Sequence, residues 1–242
     1  MYDIDRSEPV IFSYRYVFNN GQEKHFIIRL DPTTLDYLPQ SEVEKLPDWT
    51  LLEFNQCENC PYKTARIKHC PIAVNIVDLY DCFNSVDSFD RAEVYIKADE
   101  RGYYRESSVQ RSLSSILGIY MVTSGCPVMN HLKPMVRFHL PMASIEETVY
   151  RSVSTYLLAQ YFKHKHGKAA DLELKYLKEF YIEIQKVNIG IVRRLRAVTE
   201  KDAFTNAIVK LDAYARELPR LIEERLQNFE YLFDAYYKHD TV

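Results

Sequence analysis

The feature that most constrains this chain is a change of hydrophobic period near residue 107. Before it, apolar residues recur at every second position: Val10, Phe12, Tyr14, Tyr16 and Phe18 alternate, Asn19-Asn20-Gly21 supplies a turn, and Phe26, Ile28 and Leu30 alternate again. Alternation buries one face of a strand, and Asn-Gly tolerates the positive φ of a tight turn, so the pattern predicts a β-hairpin. Ala92, Val94, Ile96 and Ala98 repeat it before a turn at Glu100-Arg101-Gly102, which predicts a second hairpin. Between the two, Trp49 to Phe54 reads as a further short strand, and Pro71 to Asn84 spaces Ile72, Ile76, Leu79, Tyr80 and Phe83 as a helix.

From Ser108 onward the period is 3.6. Val109, Leu113, Ile116, Leu117 and Tyr120 stripe one helix, and Val149, Val153, Tyr156 and Tyr161 another, which opens on Ser144 and Glu147 in the form of a capping box. Leu177, Ile184, Val187, Ile191 and Leu195 mark a long helix that stops near Thr199; Thr199 and Asp202 are placed to cap the next, and Pro219 is expected to divide the remaining pattern into two helices. The expected fold is therefore α+β. Antiparallel hairpins with a helix occupy 1–107, an antiparallel helical region occupies 108–242, and the two are able to form one cooperative domain.

Composition excludes several classes of protein. With 47% apolar and 27% charged residues among 242, the chain can bury a full core, unlike disordered, collagen-like or rod-like chains. A net charge of -3 provides no global basic field to hold nucleic acid or an anionic membrane. The N-terminus, MYDIDRSEPV, is acidic where a signal peptide is basic, and the uncharged run from Ser112 to Leu132 is broken by polar residues, Gly125 and Pro127. A cytoplasmic protein without a membrane span is expected.

The chemistry lies in the cysteines. CENCPYKTARIKHCP places Cys57, Cys60 and Cys70 at C-x2-C-x9-C spacing, and SGCP adds Cys126. A C-x2-C pair lets one turn aim two sulfurs at a single ion, an arrangement that zinc and iron–sulfur sites share. Pro61, Pro71 and Pro127 each follow a cysteine directly. Proline suits the first position of a helix, so Cys70 and Cys126 are expected to cap two helices, whose N-termini would favour thiolates. Zinc is the expected metal, held by Cys57, Cys60, Cys70 and Cys126, with His69 or His131 able to replace one ligand. An iron–sulfur cluster on the same thiols is the alternative. The competing structural reading is a set of reduced, buried cysteines, which is the one preferred for Cys82. A thioredoxin-like or thiolate–haem reading leaves Cys70 and Cys126 unexplained or rests on one Cys-Pro pair.

MNHLKPMVRFHLPMAS gathers His131, Lys133, Arg137 and His139, suited to binding an anion or to acid–base work, though a polar loop satisfying nearby carbonyls and acids is the preferred reading. His164 and His166 precede Gly167 as a helix-end signature. No phosphate loop, nucleophile elbow or H-E-x-x-H helix occurs.

With CENCP, HCP, SGCP, FHLP and the YLLAQYF helix in view, the chain resembles an uncharacterised family of bacterial proteins known as a domain of unknown function. The resemblance covers most of the chain and includes the positions of Cys57, Cys60, Cys70 and Cys126. It implies a bacterial cytosolic protein and supplies no activity. The functional expectation is a metal-binding protein with a structural zinc site that acts through a protein partner, without nucleic acid or membrane. The alternative is an iron–sulfur or thiol-redox enzyme with His131, Arg137 and His139 lining a pocket.

Overall fold

The computed structural model describes residues 7–40, 45–199 and 201–237. The first six residues, on which the expected lack of a signal peptide rests, lie outside them. The alternating segments form a four-stranded antiparallel sheet of β1 (Val10–Phe18), β2 (Glu23–Leu30), β3 (Arg91–Ala98) and β4 (Arg101–Ser108), in the order β2-β1-β3-β4. Gly21, at φ +80°, makes the first turn, as the Asn-Asn-Gly sequence predicts. Phe12, Tyr14 and Tyr16 on β1 and Val94 and Ile96 on β3 are enclosed on one face. The other face is open, with Arg15 stacked over the Tyr95 ring at 4.5 Å.

The connection from β2 to β3 holds α1 (Pro71–Asn75) and α2 (Val77–Phe83), which continue one helical pattern across a step at Ile76 (φ -95°, ψ 2°). The step replaces the single helix expected, and it falls where the Asn75 side-chain amide donates to the Tyr120 carbonyl at 3.3 Å and Ile76 is fully enclosed. Next come α3 (Val109–Val122), α4 (Lys133–Arg137), α5 (Ile145–Lys165), α6 (Lys175–Arg196), α7 (Ala203–Arg225) and α8 (Asp234–Tyr237). The inner sheet face packs on α3, where the Tyr14 hydroxyl meets Ser115 at 3.2 Å, and buried side chains on both sides of residue 107 belong to one hydrophobic core. Among the described residues, no helix is long and apolar enough to cross a membrane.

Three expectations are corrected. The segment from Trp49 is no strand: Asp48–Thr50 is a 3-10 helix after Pro47, and only the Leu51–His69 bridge has sheet character. The reason lies outside the segment, because Arg194 of α6 takes the carbonyls of Trp49, Leu51 and Leu52 that a strand would offer a neighbour. Pro219 does not end its helix, since α7 runs through it to Arg225 with Leu218, Leu221 and Ile222 buried on either side, and a 3-10 helix over Leu226–Phe233 replaces the last helix expected. Asp202 stands at the N-cap of α7 without capping it. Its carboxylate instead accepts the Ser88 amide at 2.9 Å and hydroxyl at 3.0 Å, fastening the approach to β3 onto the helix.

The capping box at α5 forms as the sequence predicts: the Glu147 amide donates to Ser144 Oγ at 3.1 Å, and the Ser144 amide to the Glu147 carboxylate at 2.7 Å. Ser144→Ala should therefore lower unfolding stability by about 1 kcal/mol, read from the midpoint of urea denaturation at unchanged slope.

Candidate metal centre

Three stretches of chain bring the cysteines to α6. The C-x2-C turn closes on itself through the Cys60 amide donating to the Cys57 carbonyl at 3.1 Å. It docks on α6 through Asn59, whose amide donates to the Glu183 carbonyl at 3.0 Å and carboxylate at 2.8 Å, and through the Cys57 thiol, 3.8 Å from the Val187 carbonyl. Cys70 is anchored by its amide, which donates to Thr50 at 2.8 Å, and it occupies the N-cap of α1. Cys126 is returned to the group by Tyr62, just beyond Cys60, whose hydroxyl donates to the Gly125 carbonyl at 3.0 Å. Gly125 makes the necessary turn at φ +83°.

The result is electrostatic convergence. Burial pushes the Cys57 thiol up to about 12, helped by Cys70, Cys60 and Cys126, while Arg194 opposes the rise. Burial also raises Cys70 and Cys126, and each feels Cys60. Backbone amides act in the other direction: Ala73 and Ile72 at Cys70, Met129 and Val128 at Cys126. At Cys70 those amides belong to the expected helix start, with Cys70 as the N-cap of α1 and Pro71 in its first turn, whereas no α-helix starts at Cys126. Cys70 caps a helix of only five residues without a capping hydrogen bond, and Cys126 precedes a 3-10 helix that starts at Met129. All five cysteines are free thiols. Among the described residues, no three histidine, cysteine, aspartate or glutamate side chains form a group that could hold a metal ion in this conformation.

Arg194 and Gly190 are the partners that sequence reading missed. Arg194 is 1% exposed, and its guanidinium donates to Trp49, to Leu51 at 2.6 Å and to Leu52 at 3.2 Å, leaving Nε without a partner. Burial lowers its pKa, and Cys70, Cys57 and Cys60 counteract that. At Gly190 a Cβ would lie 2.5 Å from Cys57 Sγ and 3.1 Å from its Cα, so only glycine lets the turn approach this closely. The signal was present in the periodicity, since both positions fall on the apolar stripe of α6 with Val187 and Ile191.

The other candidates are placed elsewhere. Cys82 lies on α2 beside Lys24, outside the group. His69 Nδ1 is engaged by Thr50 Oγ at 2.8 Å, and His131 stacks on Phe180 at 4.2 Å. Lys133 pairs with Asp36 at 2.6 Å and Arg137 with Asp99 at 2.9 Å. His139 turns toward the sheet, its Nε2 2.6 Å from the Tyr14 hydroxyl, and burial lowers its pKa to about 3. His166 closes α5 on the Phe162 carbonyl, with Gly167 at φ +71°.

A family model described as Domain of unknown function (DUF6901) matches residues 12–234. No curated protein and no solved structure matches the chain.

Two outcomes follow from this geometry. Gly190→Ala should cost roughly 1 to 3 kcal/mol in urea denaturation, because the turn must retreat from α6. For His139, the neutral ring is favoured by folding, so its contribution is complete above the ordinary histidine pKa of 6.5 and is lost as pH falls toward 3. Melting temperatures between pH 7 and pH 4 should therefore fall less steeply in His139→Gln than in the unmodified chain.

Proposed function

This chain belongs to the DUF6901 family, a domain of unknown function, and we propose that it is a metal-binding protein whose Cys57, Cys60, Cys70 and Cys126 hold one thiolate centre. The observation that carries the reading is convergence: thiols from 57–60, 70 and 126 lie within electrostatic reach of one another, and three of them within reach of one buried arginine. Three carbonyls hold the Arg194 guanidinium, which is costly to desolvate, and they leave its charge beside the thiols. A metal bound by four thiolates carries net negative charge, and the Arg194 cation offsets it. The four amides at Cys70 and Cys126 act in the same sense.

The spacing bears on the occupant. A single zinc requires sulfurs about 4 Å apart, whereas a four-iron cluster holds its cysteines roughly 6 to 7 Å apart. Among the described residues no group of these side chains forms that could hold an ion, so either occupant requires the segments to draw together, and the wider spacing of the cluster asks for the smaller movement. Zinc would require the three segments to close further. In this reading the centre fastens the cysteine-bearing loops to α6, and free thiols suit the reducing cytoplasm. A protein partner is the further part of the proposal, supported by Tyr150, Leu158, Tyr161 and Phe162, each about half exposed on α5.

Protein purified without oxygen is expected to be brown, to absorb in the visible and to contain iron and acid-labile sulfide. Cys60→Ser should lose the metal and lower the melting temperature by roughly 10 °C or more, since binding energy at such a site is folding energy. Colourless protein carrying one zinc per chain would replace the cluster by zinc, and protein with neither metal would overturn the reading.

A further inference from the structure

Four of the five methionines, Met121, Met129, Met135 and Met142, line one cavity of about 190 Å³ between α3, the α4 region, α6 and α7. None of the four candidate cysteines lines it. Methionine is polarizable and adaptable, and its sulfur makes favourable contacts with aromatic rings. An apolar cavity of about 150 Å³ is known to accept benzene. The volume here therefore suits one ring, with a short polar arm reaching toward the polar rim.

The polar groups on the same wall set the nature of that arm. Asn188 is 2% exposed, lines the cavity, and its amide has no hydrogen-bond partner among the described residues. Arg111 also lines it and has no side-chain partner among the described residues. Arg151 donates through one terminal nitrogen to the Met135 carbonyl at 2.6 Å and the Phe138 carbonyl at 2.9 Å, and it has no carboxylate in ion-pair distance among the described residues. Glu147, one turn earlier on α5, has its carboxylate engaged by the Ser144 amide. Two guanidinium groups and an amide thus border an apolar chamber, and neither arginine forms an ion pair among the described residues, although Glu147 acts on Arg151 from a distance and Glu146 and Glu217 stand with Arg111 on a neighbouring surface. Asn188 is the buried one of the three, while Arg111 and Arg151 are half-buried at the rim, so a ligand anion would meet donors that are not already committed to a carboxylate.

We infer that this cavity binds a small aromatic carboxylate, its ring among the methionines and its carboxylate toward Arg111, Arg151 and Asn188. Selectivity follows from the donors: a neutral compound of the same shape leaves the guanidiniums unmatched, and a cation is repelled. The inference is independent of what the cysteines hold.

The test uses the full chain with phenylacetate and benzoate as probes and 2-phenylethanol and benzyl alcohol as their neutral counterparts, by titration calorimetry and thermal shift. Saturable binding of one carboxylate per chain, roughly tenfold or more tighter than its alcohol, is expected. Arg111→Gln should weaken the carboxylate roughly tenfold and leave the alcohol nearly unchanged. Asn188→Leu should weaken binding while the ligand-free melting temperature holds or rises, because an unpartnered amide contributes nothing to the empty fold. Absence of saturable binding by either carboxylate would overturn the proposal, as would alcohols that bind equally well or an Arg111→Gln variant with unaltered affinity.

Discussion

The interaction on which the cysteine region depends is the buried guanidinium of Arg194. A cation withdrawn from water at 1% exposure is costly, and three carbonyls from Trp49, Leu51 and Leu52 compensate it. The same bonds fasten to α6 a stretch of chain that pairs with the sheet nowhere. The cysteine turn starts five residues after Leu52, and Cys70 is held through Thr50 in the same stretch. One side chain thus sets where the first three thiols stand, and its charge acts on all three. Were it replaced by an apolar residue, three carbonyls would lose their donors together, so the loss would be larger than that of one hydrogen bond.

Helix α6 is the common wall of both features. At about 100° per residue, Val187, Gly190 and Arg194 fall within about 60° of one another on the side that meets the cysteines. Tyr181, Ile184 and Asn188 fall within a similar arc roughly 120° around the helix, and they line the cavity. A further link is the segment after Cys126, where the Met129 amide faces the sulfur and the Met129 side chain lines the cavity. The thiol group and the cavity thus share the backbone of α6 and of the segment after Cys126.

Much of this was legible in the sequence because it is local. The hairpins follow from alternation, the first with its Asn-Gly turn and the second with a turn at Asp99-Glu100 because Arg101 and Gly102 already pair in β4, α5 follows from its capping box, and the helical half from the 3.6 period, since each rule concerns residues within one strand or one turn of helix. Reading failed where a distant group competed for the local one. Trp49 to Phe54 has the composition of a strand, yet Arg194, some 140 positions away, takes its carbonyls. Asp202 has the chemistry of a cap, yet its carboxylate serves Ser88. Pro219 has the chemistry of a break, yet burial of its neighbours carries the helix through it.

At the cysteines, spacing alone determined that Cys57 and Cys60 share a turn and that prolines follow three of the thiols. Only tertiary structure decided that Cys126 returns to them by way of Tyr62 and Gly125, that Gly190 leaves room for the turn, and that a buried arginine stands beside it. The unpartnered amide of Asn188 and the methionine-lined cavity belong to the same category. Short-range pattern fixes conformation because the backbone and its near neighbours set the energies of strands, turns and caps. Which side chain is left enclosed without a partner depends on every element packed around it, and no window of sequence contains them all.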